Sequence, residues 1–280
     1  MRNSTENIYK EKVNQIIDYI SANLHFPLKL DVIAGEINVS QRQLLRIMRY
    51  AMNESLYAYI ARQRVERAVL YMQTEKMSLT SLAAMVGYDN PQSFSKSFKK
   101  QFGISQKAYL SELQSRLENY VQSSGNGNNP KPEICHFEGL ELVYIRIFGK
   151  YGEKESYETA WNKLIQFLKR NRALTHETRF IGLSFDDPNV TDSSRCRFYA
   201  CASVLQKVIP TGEFGTIRLI PGKYAVYTLD GSSPDLQNFY NSINVDPEYT
   251  IRHGMAFEEY IGYSKDNDKD CITKIYIPIK

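Results

Sequence analysis

"SLAAMVGYDNPQSFSKSFKKQFGIS", Ser81 to Ser105, decides how the first part of the chain folds. Leu82, Ala83 and Val86 are spaced for one face of a short helix, and Gly87-Tyr88-Asp89 breaks it. Asn90 is placed to cap a second helix, and Pro91 fits its first turn, where no backbone N–H is needed. Phe94, Phe98 and Phe102 then recur at i, i+4, i+8. The other face carries Gln92, Ser93, Ser95, Lys96, Lys99 and Lys100. Such a helix packs on its aromatic side and offers a cationic, hydrogen-bonding side to something polar.

The same pattern occurs earlier. Leu30, Ile33, Ala34 and Ile37 fall on Leu79, Leu82, Ala83 and Val86, 49 positions on. One extra residue enters the second turn. After it Ser40, Leu44, Met48, Met52, Ser55 and Tyr59 fall on Asn90, Phe94, Phe98, Phe102, Ser105 and Tyr109, 50 positions on. Each copy reads as a short helix, a turn, a cap and a longer helix, which is helix-turn-helix spacing. The small Ala34 and Ala83 let the paired helices cross closely, and Gly87 supplies positive φ in the second turn. The longer helix of the first copy presents Gln41, Arg42, Gln43, Arg46 and Arg49. Arginine reads guanine edges bidentately, glutamine reads adenine, and serine and lysine serve base edges or phosphates. The alternative is two solvated amphipathic helices, but two matched copies with basic faces favour a double-stranded DNA partner.

Charge agrees. Residues 1–120 hold 16 Lys+Arg against 11 Asp+Glu, whereas residues 121–280 hold 19 against 20. The four cysteines form no C-x-x-C pair, and His25, His136, His176 and His253 have no ligand spacing. The reading is no metal, no cofactor and reduced thiols. The N-terminus lacks an apolar signal region and no 18-residue apolar run occurs, so the expectation is a cytoplasmic chain with no membrane partner.

The apolar stripe Val13, Ile16, Ile17, Ile20, Leu24 predicts a helix that ends before Pro27. "SLYAYIARQRVERAVLYMQ", capped by Ser55, predicts a long helix between the two repeats. The domain resembles the AraC/XylS transcriptional regulators. Ser40 with Leu44, "RQRVERAVLYM" (Arg62 to Met72), the stretch quoted first and Tyr109 carry the resemblance, over roughly residues 9–115. It implies two helix-turn-helix units on one rigid helix, entering adjacent major-groove segments. It also implies base contacts from Arg42, Arg46, Gln92, Ser95 and Lys96, and a phosphate contact from Lys99. Two residues depart from the pattern: Gln106 stands where the family usually has Pro, with little change expected, and Leu45, where several relatives use a polar base reader, either touches a thymine methyl or packs, with packing favoured.

"VQSSGNGNNPKP", 121–132, predicts a flexible linker between a DNA-binding domain (1–120) and a second domain (133–280). Beyond it "LELVYIRIF", "RFIGLSF", "RFYACASV", "YAVYTL" and "TKIYIPIK" read as strands, interrupted by helical patterns at 155–170 and 234–243. "VYIRIFGKYG" before the Trp161 helix echoes "AVYTLDGSSPD" before Phe239. The fold class expected is therefore multidomain: an all-α domain followed by an α+β domain of duplicated β-α-β-β modules.

This second domain resembles the gyrase-inhibitor-like effector-binding domains of multidrug-sensing regulators. The matching stretches are "IFGKYG", "RFIGLSFDDP", "CRFYACASV", "IPGKYAVY", "FEEYI" and the terminal "TKIYIPIK". The resemblance implies a cleft for small, often amphipathic molecules and places its acid at Glu258. Strand alternation sets Glu258 and Tyr260 on one face, and Phe257 and Glu259 on the other. An acid beside aromatics suits a cationic or hydrogen-bonding ligand, with Tyr144, Trp161, Tyr227 and Tyr260 as candidate walls against the alternative that they are ordinary core. "FDDP" reads as a turn, not a metal site.

The expected function is a ligand-responsive transcription regulator that is not an enzyme. Its small molecule would shift DNA affinity or contact with RNA polymerase, and activation is implied by the resemblance alone. The rival readings are a hydrolase using Glu258 as base with Tyr260 as donor, and a module that sequesters a protein partner.

Overall fold

The apolar period of 3.6 in the first unit becomes helix throughout: α1 (Arg2–Ala22), α2 (Leu30–Glu36), α3 (Gln41–Met52), α4 (Leu56–Thr74), α5 (Leu79–Met85) and α6 (Pro91–Phe102). The computed structural model describes residues 2–74, 77–112, 115, 131–188, 190–230, 251–252, 254–262 and 272–280. They divide into units at Met1–Asn126 and Gly127–Lys280. Most of the expected linker, and the helical pattern at 234–243, lie outside the described residues.

The longer helices of the two copies both start on a side-chain cap. Ser40 accepts from the Gln43 N–H while the Gln43 carboxamide returns a bond to the Ser40 N–H, a full capping box. Asn90 accepts from the Ser93 N–H, with Pro91 in the first turn. Such caps contribute about 0.5–2 kcal/mol each. Leu44 and Met48 in one copy, and Phe94 and Phe98 in the other, are fully buried. In the second copy the ring of Phe98 meets Phe94, Phe102 and Tyr109.

Gly87, at φ 88°, is needed for space as well as rotation. A Cβ there would collide with the Leu24 carbonyl and come within 2.8 Å of the Arg64 guanidinium. Arg64, on α4, donates to the carbonyls of Leu24 (3.0 Å) and Phe26 (2.8 Å), so it holds the chain after α1 against the second turn. Two residues earlier on α4, Arg62 bonds Glu54 at 2.6 Å and Glu66 at 3.1 Å, all three nearly buried. Gln63 and Gln101 of α6 also donate to Glu66. This hub joins the end of the first copy, the linking helix and the second copy.

The second unit is a sheet of eight strands, every neighbouring pair antiparallel: β1 (Glu133–Phe137), β2 (Leu140–Phe148), β3 (Phe180–Ser184), β4 (Arg197–Ser203), β5 (Phe214–Leu219), β6 (Gly222–Asp230), β7 (Phe257–Ile261) and β8 (Ile272–Pro278). One helix, α7 (Lys154–Arg170), follows β2. The order β1-β6-β8-β7-β3-β4-β2-β5 is symmetric about the β3/β7 seam. β1 leads into β2 yet pairs with β6, while β5 leads into β6 yet pairs with β2. The two modules thus exchange their leading strands and interlock. β1 and β5 are absent from the sequence reading.

Period-2 alternation divides the sheet's faces. One buries Leu142, Tyr144, Ile181, Tyr199, Phe257 and Tyr276 among others. The other buries Val143, Ile145, Phe198 and Ala200 against Trp161, Leu164, Phe167 and Leu168 of α7.

Candidate functional site

On α3, Gln41, Arg42, Gln43, Arg46 and Arg49 are exposed while Leu44, Ile47 and Met48 are buried. On α6, Gln92, Ser93, Lys96, Lys99 and Lys100 are exposed and Ser95 is half-buried. Two of these side chains are already engaged. The Gln43 carboxamide oxygen serves the capping box, and Arg46 Nη2 donates to Tyr9 Oη of α1 at 2.8 Å. Leu45 is 37% exposed, on the outward side, which corrects the expectation that it packs. Gln106 is buried, and its Nε2 has no hydrogen-bond partner among the described residues. That position is less neutral than expected.

In the second unit, direct pairing across the sheet runs Phe214–Ile145–Ala200–Gly182–Glu258–Ile275–Tyr227. Paired residues share a face, so Glu258 stands at the seam with Gly182 beside it. Glu258 is 4% exposed and accepts a short hydrogen bond from Tyr260. The Tyr260 hydroxyl lies over Gly182, where a Cβ would collide with it and come within 2.9 Å of the Phe198 ring. An isolated glycine in a strand marks such a close approach. Trp161 of α7 meets Tyr260 and Phe180 edge-on, at 5.7 and 5.9 Å.

Of the five residues proposed for a pocket, Glu258, Tyr260 and Trp161 come together. Tyr227 shares their face but lies two strands beyond Glu258, fully buried with Ala225, Ile275 and Ile279. Tyr144 must be corrected. It sits on the opposite face, stacked on Tyr199 at 4.5 Å and bonded by Arg146, because it is one residue out of phase with Ile145. Phe257 and Glu259 also face that way. Glu259 takes a bidentate pair from Arg179 (2.6 and 2.7 Å) and a bond from Tyr276 (2.8 Å). Burial pushes the Glu259 carboxyl up, but these donors outweigh it and hold it below its ordinary value.

Sequence reading missed Tyr157. It stacks on Phe198 at 4.4 Å. Burial pushes its phenol up, the Gly152 backbone bond opposes this, and the Glu258 charge adds to the rise. Its position, one helical turn before Trp161, was the available signal. Together Tyr157, Trp161, Tyr260 and Phe198 gather aromatic surface around one buried carboxyl, an arrangement suited to a cationic or hydrogen-bonding small molecule.

Residues 130–280 match the family described as the GyrI-like small molecule binding domain. The chain belongs to that family. Residues 33–112 match a helix-turn-helix domain of the AraC type. This GyrI-like chain is similar to the Msm operon regulatory protein of Streptococcus mutans, 31% identical over 38% of each chain. It is similar to the HTH-type transcriptional activator AarP of Providencia stuartii, 33% identical over 35% of this chain and 72% of that one. It is also similar to the right origin-binding protein of Escherichia coli K12, 21% identical over 89% of each. The chain spans less than half the length of several curated regulators it matches, the Msm protein among them.

Proposed function

We propose that this chain is a transcription regulator whose C-terminal unit binds a small molecule and whose α3 and α6 read double-stranded DNA. The observation that carries it is the pair of matched basic faces, both held to α4 by the Arg62 hub. Two recognition helices on one rigid frame suit adjacent major-groove segments one helical turn, about 34 Å, apart. Gln41, Arg42, Arg46, Gln92, Ser93, Ser95 and Lys96 are proposed to face bases, and Arg49 and Lys99 the backbone. Gln43 keeps at most its amide N–H for DNA, since its oxygen serves the cap.

The ligand is proposed to be a cationic or amphipathic small molecule held at Glu258 among Tyr157, Trp161 and Tyr260. We read the chain as a sensor of that molecule, not an enzyme, acting on DNA in the cytoplasm, with RNA polymerase as its downstream partner. Activation is the preferred sign, after the name of its relative AarP.

The test is selection of bound DNA from a random pool, with and without a panel of lipophilic cations. The expected result is a two-part motif whose enrichment shifts with at least one cation. A pool without enrichment sinks the DNA reading, and enrichment identical under every cation sinks the ligand response.

A further inference from the structure

The helix-turn-helix match begins at residue 33, so α1 lies outside it. Yet α1 reaches the candidate reading face. Tyr9 Oη accepts from Arg46 Nη2 at 2.8 Å across 37 residues of sequence. Arg42 and Arg49, on the same face of α3, make no side-chain hydrogen bond among the described residues.

The phenol that holds Arg46 is itself fixed. Ile16, Ile17 and Ile20 of α1 are fully buried, and Lys12 Nζ donates to the Ile37 carbonyl at 2.7 Å, beside the turn that precedes α3. Tyr9 lies on the continuation of that stripe toward the helix start, half-buried. An exposed arginine otherwise has several freely turning torsions to order on binding. A bond at one Nη2 hydrogen leaves the other guanidinium donors available for a bidentate base contact.

We propose that Tyr9 is a positioning residue for base reading: it pre-orients the Arg46 guanidinium, so that α1 tunes specificity without touching a base. This rests on the DNA-reading proposal above. The test compares wild type, Tyr9→Phe, Arg46→Ala and the double variant on the selected DNA site, on single-base variants of it and on unrelated DNA.

Arg46→Ala should erase the preference at one base position. Tyr9→Phe should weaken that same preference about three- to tenfold, part of the discrimination one bidentate pair supplies. Binding to unrelated DNA should stay unchanged, and Tyr9→Phe should have no further effect once Arg46 is Ala. Full preference in Tyr9→Phe, equal weakening on every sequence, or an effect that persists in the double variant overturns the proposal. So does an Arg46→Ala protein that keeps every preference, although DNA reading then stands. A wild-type protein with no preference at all overturns both.

Discussion

Gly182 and Tyr260 occupy one shared space: the tyrosine hydroxyl passes over the glycine to reach Glu258. Any side chain at 182 must displace that ring or the Phe198 ring. Gly182→Ala should therefore cost about 1–3 kcal/mol by overpacking. It should also shift the emission of Trp161, the chain's single tryptophan, which touches Tyr260 edge-on. An unchanged melting temperature with unchanged emission would refute the close approach.

The Arg62 hub predicts a loss confined to the first unit. Glu66→Ala leaves a nearly buried guanidinium short of one carboxylate, a change worth about 3–5 kcal/mol when a buried pair is broken. Helical circular dichroism should fall at lower urea, while Trp161 emission, which reports on the second unit, should keep its midpoint. Coincident shifts in both signals would count against a local hub.

Gln106→Pro should stabilise. The helical stretch that follows Ser105 has its cap in place, with Ser105 Oγ accepting from the Ala108 N–H. Proline at a compatible first-turn position contributes about 0.4–1 kcal/mol through the unfolded chain. Removing a buried amide with no partner contributes in the same direction. The check is the urea midpoint of the helical signal, and a lower midpoint would contradict the reading.

Glu259 gives the second unit a dependence on pH. Its folded value lies below the ordinary 4.5, so its contribution is full above that value and is lost as pH falls through the lower folded one. Glu259→Gln should unfold more easily at pH 7 than wild type, with a shallower loss of stability below about pH 5. Parallel curves for the two proteins, followed by Trp161 emission, would contradict the pairing with Arg179.

For DNA, Lys99→Ala should weaken every site alike and reduce the salt slope by about one unit. Binding isotherms at several salt concentrations test this. An unchanged slope would remove Lys99 from the backbone contacts.

The helical unit was legible because its repeat fixes phase twice. Ser40 and Asn90 occupy the same cap, and Leu44 and Phe94 the same buried position, so neither copy could be read out of register. The sheet was less legible. β1 pairs with a strand some 90 residues away, and nothing local in "EICHF" signals that exchange. Tyr144 was misplaced for a related reason: adjacent strand residues face opposite ways, and composition alone did not say which of Tyr144 and Ile145 faces α7. Tyr9 lay beyond any local pattern, since its partner is set by how α1 crosses α3.

Arg62 ties Glu54 to Glu66, and Glu66 in turn holds Gln101 of α6, which makes the first unit a ruler. A single base pair inserted between two contacted DNA segments turns one against the other by about 35°. A frame joined through a nearly buried ion network has no slack for that rotation. Operators for such a protein are therefore constrained in their spacing as tightly as in their letters.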